Sequence, residues 1–417
     1  MIRFIHTADI HFGMENYGKI DPETGIHTRL LDFARAFDFC IDTALSENVD
    51  FFLFSGDAYK TAHPSQTQQK LLLAAFMRLY KAGIPVVIII GNHDNPLSFG
   101  KAHALDIFGS LPIDGFYVMA KPTTLVLDTN GGKIQIVGIP WPTRNTIAIS
   151  HKHLNASTSE LTKHISQAVV SIINSLAMQL DPSIPAVLAA HLTVSNGIFS
   201  GSEKRAIYGT DPIFLPSELA IKPFDYVALG HLHRYQNLNP DGYPAVVYSG
   251  SPERIDFGER KDDKGFCLVS IAEKNAAFHT FCKTPTRAFF QIEVNLKAIE
   301  KSFTEQLIEH IKKYTIAGAI VKIIYHLPDE SIDTVDTKAV QEACASAHYI
   351  VGIFRQRETN TRDRRITGAT KDTGIAELIG LYCDSRPALK VKKDVLIMLT
   401  QELINEHSMQ SANKESQ

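Results

Sequence analysis

An α/β fold, with helices outside and sheet inside, is what the order of apolar patterns along these 417 residues predicts. Two observations carry it. Short β-branched or aromatic runs bounded by Gly, Asp and Asn alternate with stretches whose apolar residues recur at helical spacing, and a shorter alternation of the same kind restarts after residue 285. The runs Ile2 to Ile5, Phe51 to Phe54, Pro85 to Ile90, Val187 to Ala190 and Tyr226 to Leu229 read as buried strands. Between them, Leu30 to Ser46, Gln66 to Ala82 and Glu160 to Leu180 read as helices. Phe266 to Ser270 and Ala277 to Cys282 read as closing strands, and the turn Lys283-Thr284-Pro285-Thr286 marks a boundary. From Ala288 follow a strand (Phe289 to Val294), a helix (Thr304 to Tyr314), a strand (Ala319 to His326), a helix (Asp336 to Ala347) and a strand (Tyr349 to Phe354), the order of a small α+β module. Thr373 to Tyr382 and Lys392 to Glu406 carry amphipathic helical patterns, and the polar stretch Ser408 to Gln417 is expected to be disordered. The expected organisation is a main domain over 1–285, a module over 286–368, C-terminal helices over 369–407 and a tail over 408–417.

Composition narrows the function classes. The chain is too long for one typical domain, and its 44% hydrophobic content is ordinary for a globular enzyme. No apolar stretch approaches the ~20 residues that span a bilayer. Met1 to Ile10 holds His and Asp where a signal peptide would be apolar, so a cytoplasmic location away from membranes is expected. Cys40, Cys267, Cys282, Cys344 and Cys383 are scattered without a CxxC pair, which predicts reduced thiols. A net charge of −3 argues against a protein that coats nucleic acid nonspecifically, so any such contact is local. Arg355, Arg357, Arg362, Arg364 and Arg365 form the densest basic cluster and, with Lys60, are the candidate nucleic-acid contacts; Lys101, Arg144 and Lys204 also lie near the motifs below.

Five strand-like runs of the first domain lead into residues of types that ligate metals. Ile2 to Ile5 leads to Asp9 and His11, and Phe51 to Phe54 leads to Ser55-Gly56-Asp57. Pro85 to Ile90 stops at Gly91-Asn92-His93-Asp94, Val187 to Ala190 delivers His191, and Tyr226 to Leu229 delivers Gly230-His231-Leu232-His233. Any one of these strings means little by itself, but five in succession, each closing a strand, do not arise by chance. Strand ends that open into loops hold ligands rigidly, so all five motifs are expected along one sheet edge. Carboxylate and amide oxygens with imidazole nitrogens, and no thiolate, favour Mn, Fe or Zn over a purely oxygen-ligated Mg or Ca site.

The series D-x-H, G-D, G-N-H-D, H and G-H-x-H resembles the calcineurin-like metallophosphoesterase superfamily. Within it, the run Tyr248-Ser249-Gly250-Ser251-Pro252-Glu253-Arg254-Ile255-Asp256-Phe257-Gly258-Glu259 resembles the signature that follows the last metal motif in the SbcD family, the nuclease subunits of SbcCD DNA-repair complexes. His6 to His11 and Phe54 to Pro64 are similar to that family as well, and the resemblance is close over residues 1–285 and weaker beyond. It implies a four-layer αββα sandwich with two divalent ions at one edge, Mn foremost and Fe, Zn or Mg as alternatives. Carried over residue by residue, it implies Asp9, His11 and His233 on the first ion, Asn92, His191 and His231 on the second, and Asp57 bridging them. It assigns His93 to protonating the leaving oxygen or stabilising the transition state, with Asp94 expected to orient the other ring nitrogen.

The implied activity is double-strand 3'-5' exonuclease and single-strand or hairpin endonuclease action in DNA repair, recombination and replication. The implied partners are DNA, an SbcC-type ATPase and a second copy of the chain within a heterotetramer. The module would cap the site and touch DNA, and the apolar stripe with Val395, Leu396, Leu399 and Leu403 would dock the ATPase. One departure is Lys60, which stands where some relatives carry a second histidine, three residues after the bridging Asp; it supplies a point charge without imidazole proton transfer. The metal motifs alone also suit a phosphatase or cyclic-nucleotide phosphodiesterase of the superfamily. A non-catalytic scaffold on the same fold is the remaining alternative, though no ligand position is lost.

Overall fold

The structure is a computed structural model that describes residues 1–96, 102–143, 158–201, 211–328, 331–356, 374–384, 387–390 and 392–414. Numbered along the chain, its strands are β1 (Ile2–Thr7), β2 (Phe51–Phe54), β3 (Val86–Ile89), β4 (Phe116–Met119), β5 (Thr123–Thr129), β6 (Gly132–Ile139), β7 (Ala186–His191), β8 (Thr193–Val194), β9 (Ile213–Phe214), β10 (Tyr226–Gly230), β11 (Gln236–Asn237), β12 (Ala245–Tyr248), β13 (Gly265–Ile271), β14 (Ala277–Lys283), β15 (Phe289–Asn295), β16 (Ile320–His326) and β17 (Tyr349–Gln356). Among the described residues two six-stranded sheets form the body, in the orders β14-β13-β1-β2-β3-β4 and β11-β12-β10-β7-β6-β5.

Strands β2, β3, β7 and β10 are buried at every position, as parallel strands covered on both faces must be. Between the sheets, Phe4, Phe51, Leu53, Val87 and Ile89 meet Ile136, Val187, Ala189, Tyr226, Ala228 and Val247. His6 also lies there. Its Nε2–H donates to the Leu229 carbonyl at 3.2 Å while Nδ1 accepts from the Tyr226 hydroxyl at 3.1 Å, and burial pushes its pKa down to about 3, so it joins the sheets as a neutral ring.

Helices cover the outer faces. Thr28–Ser46 and Gln66–Lys81 lay Phe33, Phe37, Ile41, Leu72, Phe76 and Leu79 against Ile5, Phe52, Phe54 and Ile88. Phe76 sits in ring contact with Phe37, Phe52, Phe54, Phe108 and Phe116, so its loss would cost about 3–5 kcal/mol. Ser65 caps the second of these helices, accepting from Gln68 N–H while the Gln68 side chain returns to the cap. Thr158–Met178 lays Leu161, Ile165, Val169 and Ile173 against Leu188, Ala190, Val227 and Leu229 on the other sheet. Helix, sheet, sheet and helix are the expected four layers.

Registers bring the motifs together. Thr7 pairs with Phe54 and Phe54 with Ile88 in one sheet, and His191 pairs with Gly230 in the other. The carboxyl ends of β1, β2 and β3 therefore stand side by side, as do those of β7 and β10.

After residue 285, the three-stranded sheet β15-β16-β17 carries the helices Phe303–Ile311 and Thr337–Ala343, in the β-α-β-α-β order that the pattern predicts. By compactness the chain forms two units: Met1–Val294 with Ala298–Ile324 and Thr334–Phe354, and Asn295–Lys297 with Tyr325–Asp333 and Arg355–Gln417. Within the first, Arg287 makes two hydrogen bonds to the Asp32 carboxylate at 2.8 and 2.7 Å, and Tyr17 packs edge-on against both Phe257 and Phe289. The polar loop that follows Phe12 thus holds an aromatic contact to β15.

In the second unit, helix Lys393–Lys414 packs on Ile375–Asp384, with Lys393 paired to Asp384 at 2.6 Å. This helix runs through residues 408–414, where polarity predicts disorder; no Gly or Pro interrupts it, and Met, Gln, Ala and Lys propagate a helix readily. Among the described residues no helix is long and apolar enough to cross a membrane, and all five thiols are unpaired.

Candidate metal centre

The ligand motifs are bent as well as buried. Asp9, His11, Asp57 and His231 have φ of 56°, 50°, 59° and 108°, a region that costs a non-glycine residue about 1 kcal/mol or more and persists where surroundings enforce it. The enforcement is visible between the first two loops, where Asp9 N–H bonds Gly56 O at 2.9 Å, His11 N–H bonds Asp57 O at 3.1 Å and Phe12 N–H bonds Ala58 O at 2.9 Å. Two motif glycines are required by closeness. Gly56 has φ +98°, and a Cβ there would lie 2.4 Å from His191 Nδ1; a Cβ on Gly91 would lie 2.1 Å from Asp57 Oδ1.

The seven expected ligands converge from both sheets. Candidate ligand atoms of Asp9, His11 and His233 lie within 4.8 Å of one another, as do those of Asp57, His191 and His231, and those of His11, Asp57 and His93. Asp57 belongs to two of the three groups, with Oδ2 3.6 Å from His11 Nε2 and 3.4 Å from His191 Nε2. Asn92 Oδ1 lies 3.0 Å from His191 Nε2 and 3.1 Å from His231 Nδ1. Asp9 accepts the His231 backbone N–H on both oxygens, at 3.1 and 3.0 Å.

This donor set fits a pair of cations. His11 Nε2 and His233 Nε2 face each other at 3.1 Å, close enough for both nitrogens to reach one cation together with Asp9. Outer partners fix the rings: His191 Nδ1–H donates to Ser55 O at 2.7 Å, and His233 Nδ1–H to Glu259 at 2.9 Å, so that Nε2 is the nitrogen each ring turns inward. Burial opposes ionisation throughout. It raises Asp9 to about 6 and lowers His11 well below its ordinary value. Burial also opposes charge on Asp57 and His191, but their mutual attraction prevails, holding Asp57 far below the usual carboxylate range and His191 at about 9.

The chain matches the model of the family described as calcineurin-like phosphoesterase over residues 2–235. The chain belongs to that family. Among solved structures it is similar to a dimetal phosphatase from Danio rerio, at 10% identity and a TM-score of 0.39, and to the protein TT1561 of Thermus thermophilus, at 13% and 0.35; each likeness covers 67% of this chain and 98% of the other. The αββα body is thus the metallophosphoesterase fold, and its edge carries residue clusters able to bind a dimetal centre.

In this phosphoesterase His93 is exposed, 4.9 Å from the His11 ring. Its backbone N–H donates to Asp57 Oδ1 at 2.8 Å. The expected partner of its ring is corrected: His93 Nδ1–H donates to the backbone carbonyl of Lys60 at 2.8 Å, not to Asp94. Asp94 is fully buried and accepts from the backbone N–H groups of Asp57, Ala58, Tyr59 and Gly91 at 2.8–3.3 Å. It holds the loop that presents Asp57 and touches no reacting group, because four converging amides make a better site for a desolvated carboxylate than one imidazole. The Lys60 side chain points to solvent.

Of the basic cluster, Arg355 is exposed and 3.9 Å from Asp333; Arg357, Arg362, Arg364 and Arg365 lie outside the described residues, as do Lys101, Arg144 and Lys204. On the last helix Val395, Leu399 and Leu403 are exposed and Leu396 is half-buried.

Sequence reasoning missed four residues at this phosphoesterase site. Glu259 and Lys264 stand behind His233, Asp211 Oδ2 is 3.6 Å from His231 Nε2, and Trp141 covers the His231 ring at 4.9 Å. Only Glu259, as the end of the signature run, and Trp141, as the single tryptophan, carried any signal.

Proposed function

We propose that this chain is a metal-dependent DNA nuclease, cleaving phosphodiesters as exonuclease and endonuclease in partnership with an SbcC-type ATPase, as a homodimer within a heterotetramer. The observation that carries this reading is where the Tyr248 to Glu259 run folds. It lies directly behind the metal cluster. Tyr248 donates its hydroxyl to Leu192 O at 2.6 Å and accepts Val194 N–H at 2.9 Å, pinning the loop after His191. Glu259, at the other end, holds His233. Midway, Arg254 donates to Arg287 O at 3.2 Å and Asp262 O at 3.0 Å, and Phe257 packs on Phe289, so the run also ties β15 to the site. A phosphatase of small esters needs no module fastened to its ligand loops.

When bound, two divalent ions would neutralise the phosphoryl oxygens and activate the attacking water. The chain's own residues supply the rest. Asp57 fixes the spacing of the two ligand groups, and Lys60 O holds His93 by Nδ1–H so that Nε2 is the nitrogen available to the leaving oxygen. The test is turnover of linear duplex DNA against p-nitrophenyl phosphate and cyclic nucleotides, with Mn, Mg and Zn compared and the ATPase present. Mn-dependent DNA cleavage supports the reading; robust phosphomonoester turnover without DNA cleavage replaces it with the phosphatase alternative.

A further inference from the structure

We infer that Glu259 and Lys264 are positioning residues that set the tautomer of His233 and thereby the competence of the Asp9, His11 and His233 group to hold a cation. The inference rests on the reading of those three residues as one ion's ligands.

The geometry is a closed set of donors and acceptors. Lys264 has a fully buried ammonium whose three protons go to Glu259 Oε2 at 2.6 Å, His233 O at 2.9 Å and Ser251 Oγ at 2.9 Å. Glu259 is fully buried as well. Its Oε2 is occupied by Lys264 and by the Ile255 N–H at 2.9 Å, which leaves Oε1 alone to face His233 Nδ1 at 2.9 Å. An ionised oxygen with no proton of its own accepts only. His233 must therefore carry its hydrogen on Nδ1, and its Nε2, 3.1 Å from His11 Nε2, is a lone pair directed at the cluster. Lys264 acts through Glu259: it fixes which oxygen turns to the ring and keeps the carboxyl charged in a dry site, where an unpaired charge would not survive. That a buried Lys and a buried Glu both stand one step behind a single ligand, with no solvent-facing task, is the independent sign that they serve it.

Glu259→Gln separates this role from a merely structural one, because it keeps the shape. Lys264 and the Ile255 N–H draw the amide oxygen, so the amide NH2 turns to His233 Nδ1 and makes it an acceptor. The ring proton then moves to Nε2, where it blocks the cation. Mn(II) titration of the full chain followed by EPR, which tells a lone Mn ion from a coupled pair, should show one site weakened by about 10–100-fold while the Asn92, His191 and His231 site is kept. Unchanged affinity at both sites, or equal loss at both in a variant that circular dichroism shows folded, would overturn the inference.

Should Glu259→Gln fail to fold, ¹⁵N NMR of imidazole-labelled, metal-free wild-type chain decides, with His233 assigned by its absence from His233→Ala. A proton on Nδ1 is expected, and one on Nε2 refutes the positioning role. If wild-type chain binds no pair of ions, the ligand reading itself fails. The NMR result still judges the tautomer separately.

Discussion

Replacing Gly91 by Ala should uncouple the metal site from the fold. A Cβ at residue 91 would stand 2.1 Å from Asp57 Oδ1, 2.4 Å from Asp57 N and 2.8 Å from Asp57 Cγ, against ordinary contacts of 3.4 Å or more. One of these atoms is backbone, so no side-chain rotation can clear the clash. The Asp57 loop must retreat by about 1 Å while Asp94 still grips it through Asp57 N–H and Gly91 N–H. Overpacking of this size costs about 1–3 kcal/mol, a loss that a chain of this length tolerates. Moving the shared carboxylate by about 1 Å is more damaging to chemistry, on the order of 100-fold in rate. The assay is urea unfolding beside Mn stoichiometry and Mn-dependent cleavage of bis(p-nitrophenyl) phosphate. The expected outcome is a folded variant with fewer than two Mn per chain and cleavage down at least ~100-fold. Full Mn occupancy with wild-type turnover would refute the close interlock of these loops.

His93→Ala should lower cleavage by about 100-fold or more with both ions still bound, whereas Asp57→Ala should lose metal; equal metal loss in the two, measured by mass spectrometry, would remove His93 from its role. Burial opposes ionisation of Glu259, but Lys264 and His233 outweigh it and bring the carboxyl from 4.5 to about 2. Because the folded value is depressed, this stabilisation, roughly 3 kcal/mol, is complete above pH 4.5 and fades as pH falls toward 2. Urea unfolding in metal-free buffer between pH 5 and 3 should therefore fall more steeply for wild type than for Glu259→Gln, and parallel slopes would contradict the ion pairing. Deleting residues 370–417, or replacing Leu396 and Leu399 by Asp, should abolish copurification with the ATPase and spare Mn-dependent phosphodiester cleavage; retained association would return the stripe to the chain's own packing.

The motif strands were legible because parallel strands covered on both faces leave unbroken apolar runs, and β2, β3, β7 and β10 are of that kind. The hairpin of β5 and β6 was harder to read. Its Asn130-Gly131 turn is a strong signal, but β5 is half-exposed and its apolar run is only Leu125 to Leu127. Which side chains the fold gathers at the sheet edge was readable from residue type and order; what holds them there was not. Asp94 serves amides up to 37 positions away, and Lys60 orients His93 through its carbonyl, which every residue type possesses. Glu259 and Lys264 are among the commonest surface residues, and only the fold shows them buried and paired.

Anomalous diffraction at the Mn edge from crystals grown with Mn tests the central claim most directly. Two peaks about 3.5–4 Å apart are predicted, with Asp57 between them, one beside Asp9, His11 and His233 and the other beside Asn92, His191 and His231. A single peak, or Mn bound away from Asp57, would contradict a two-metal phosphoesterase centre.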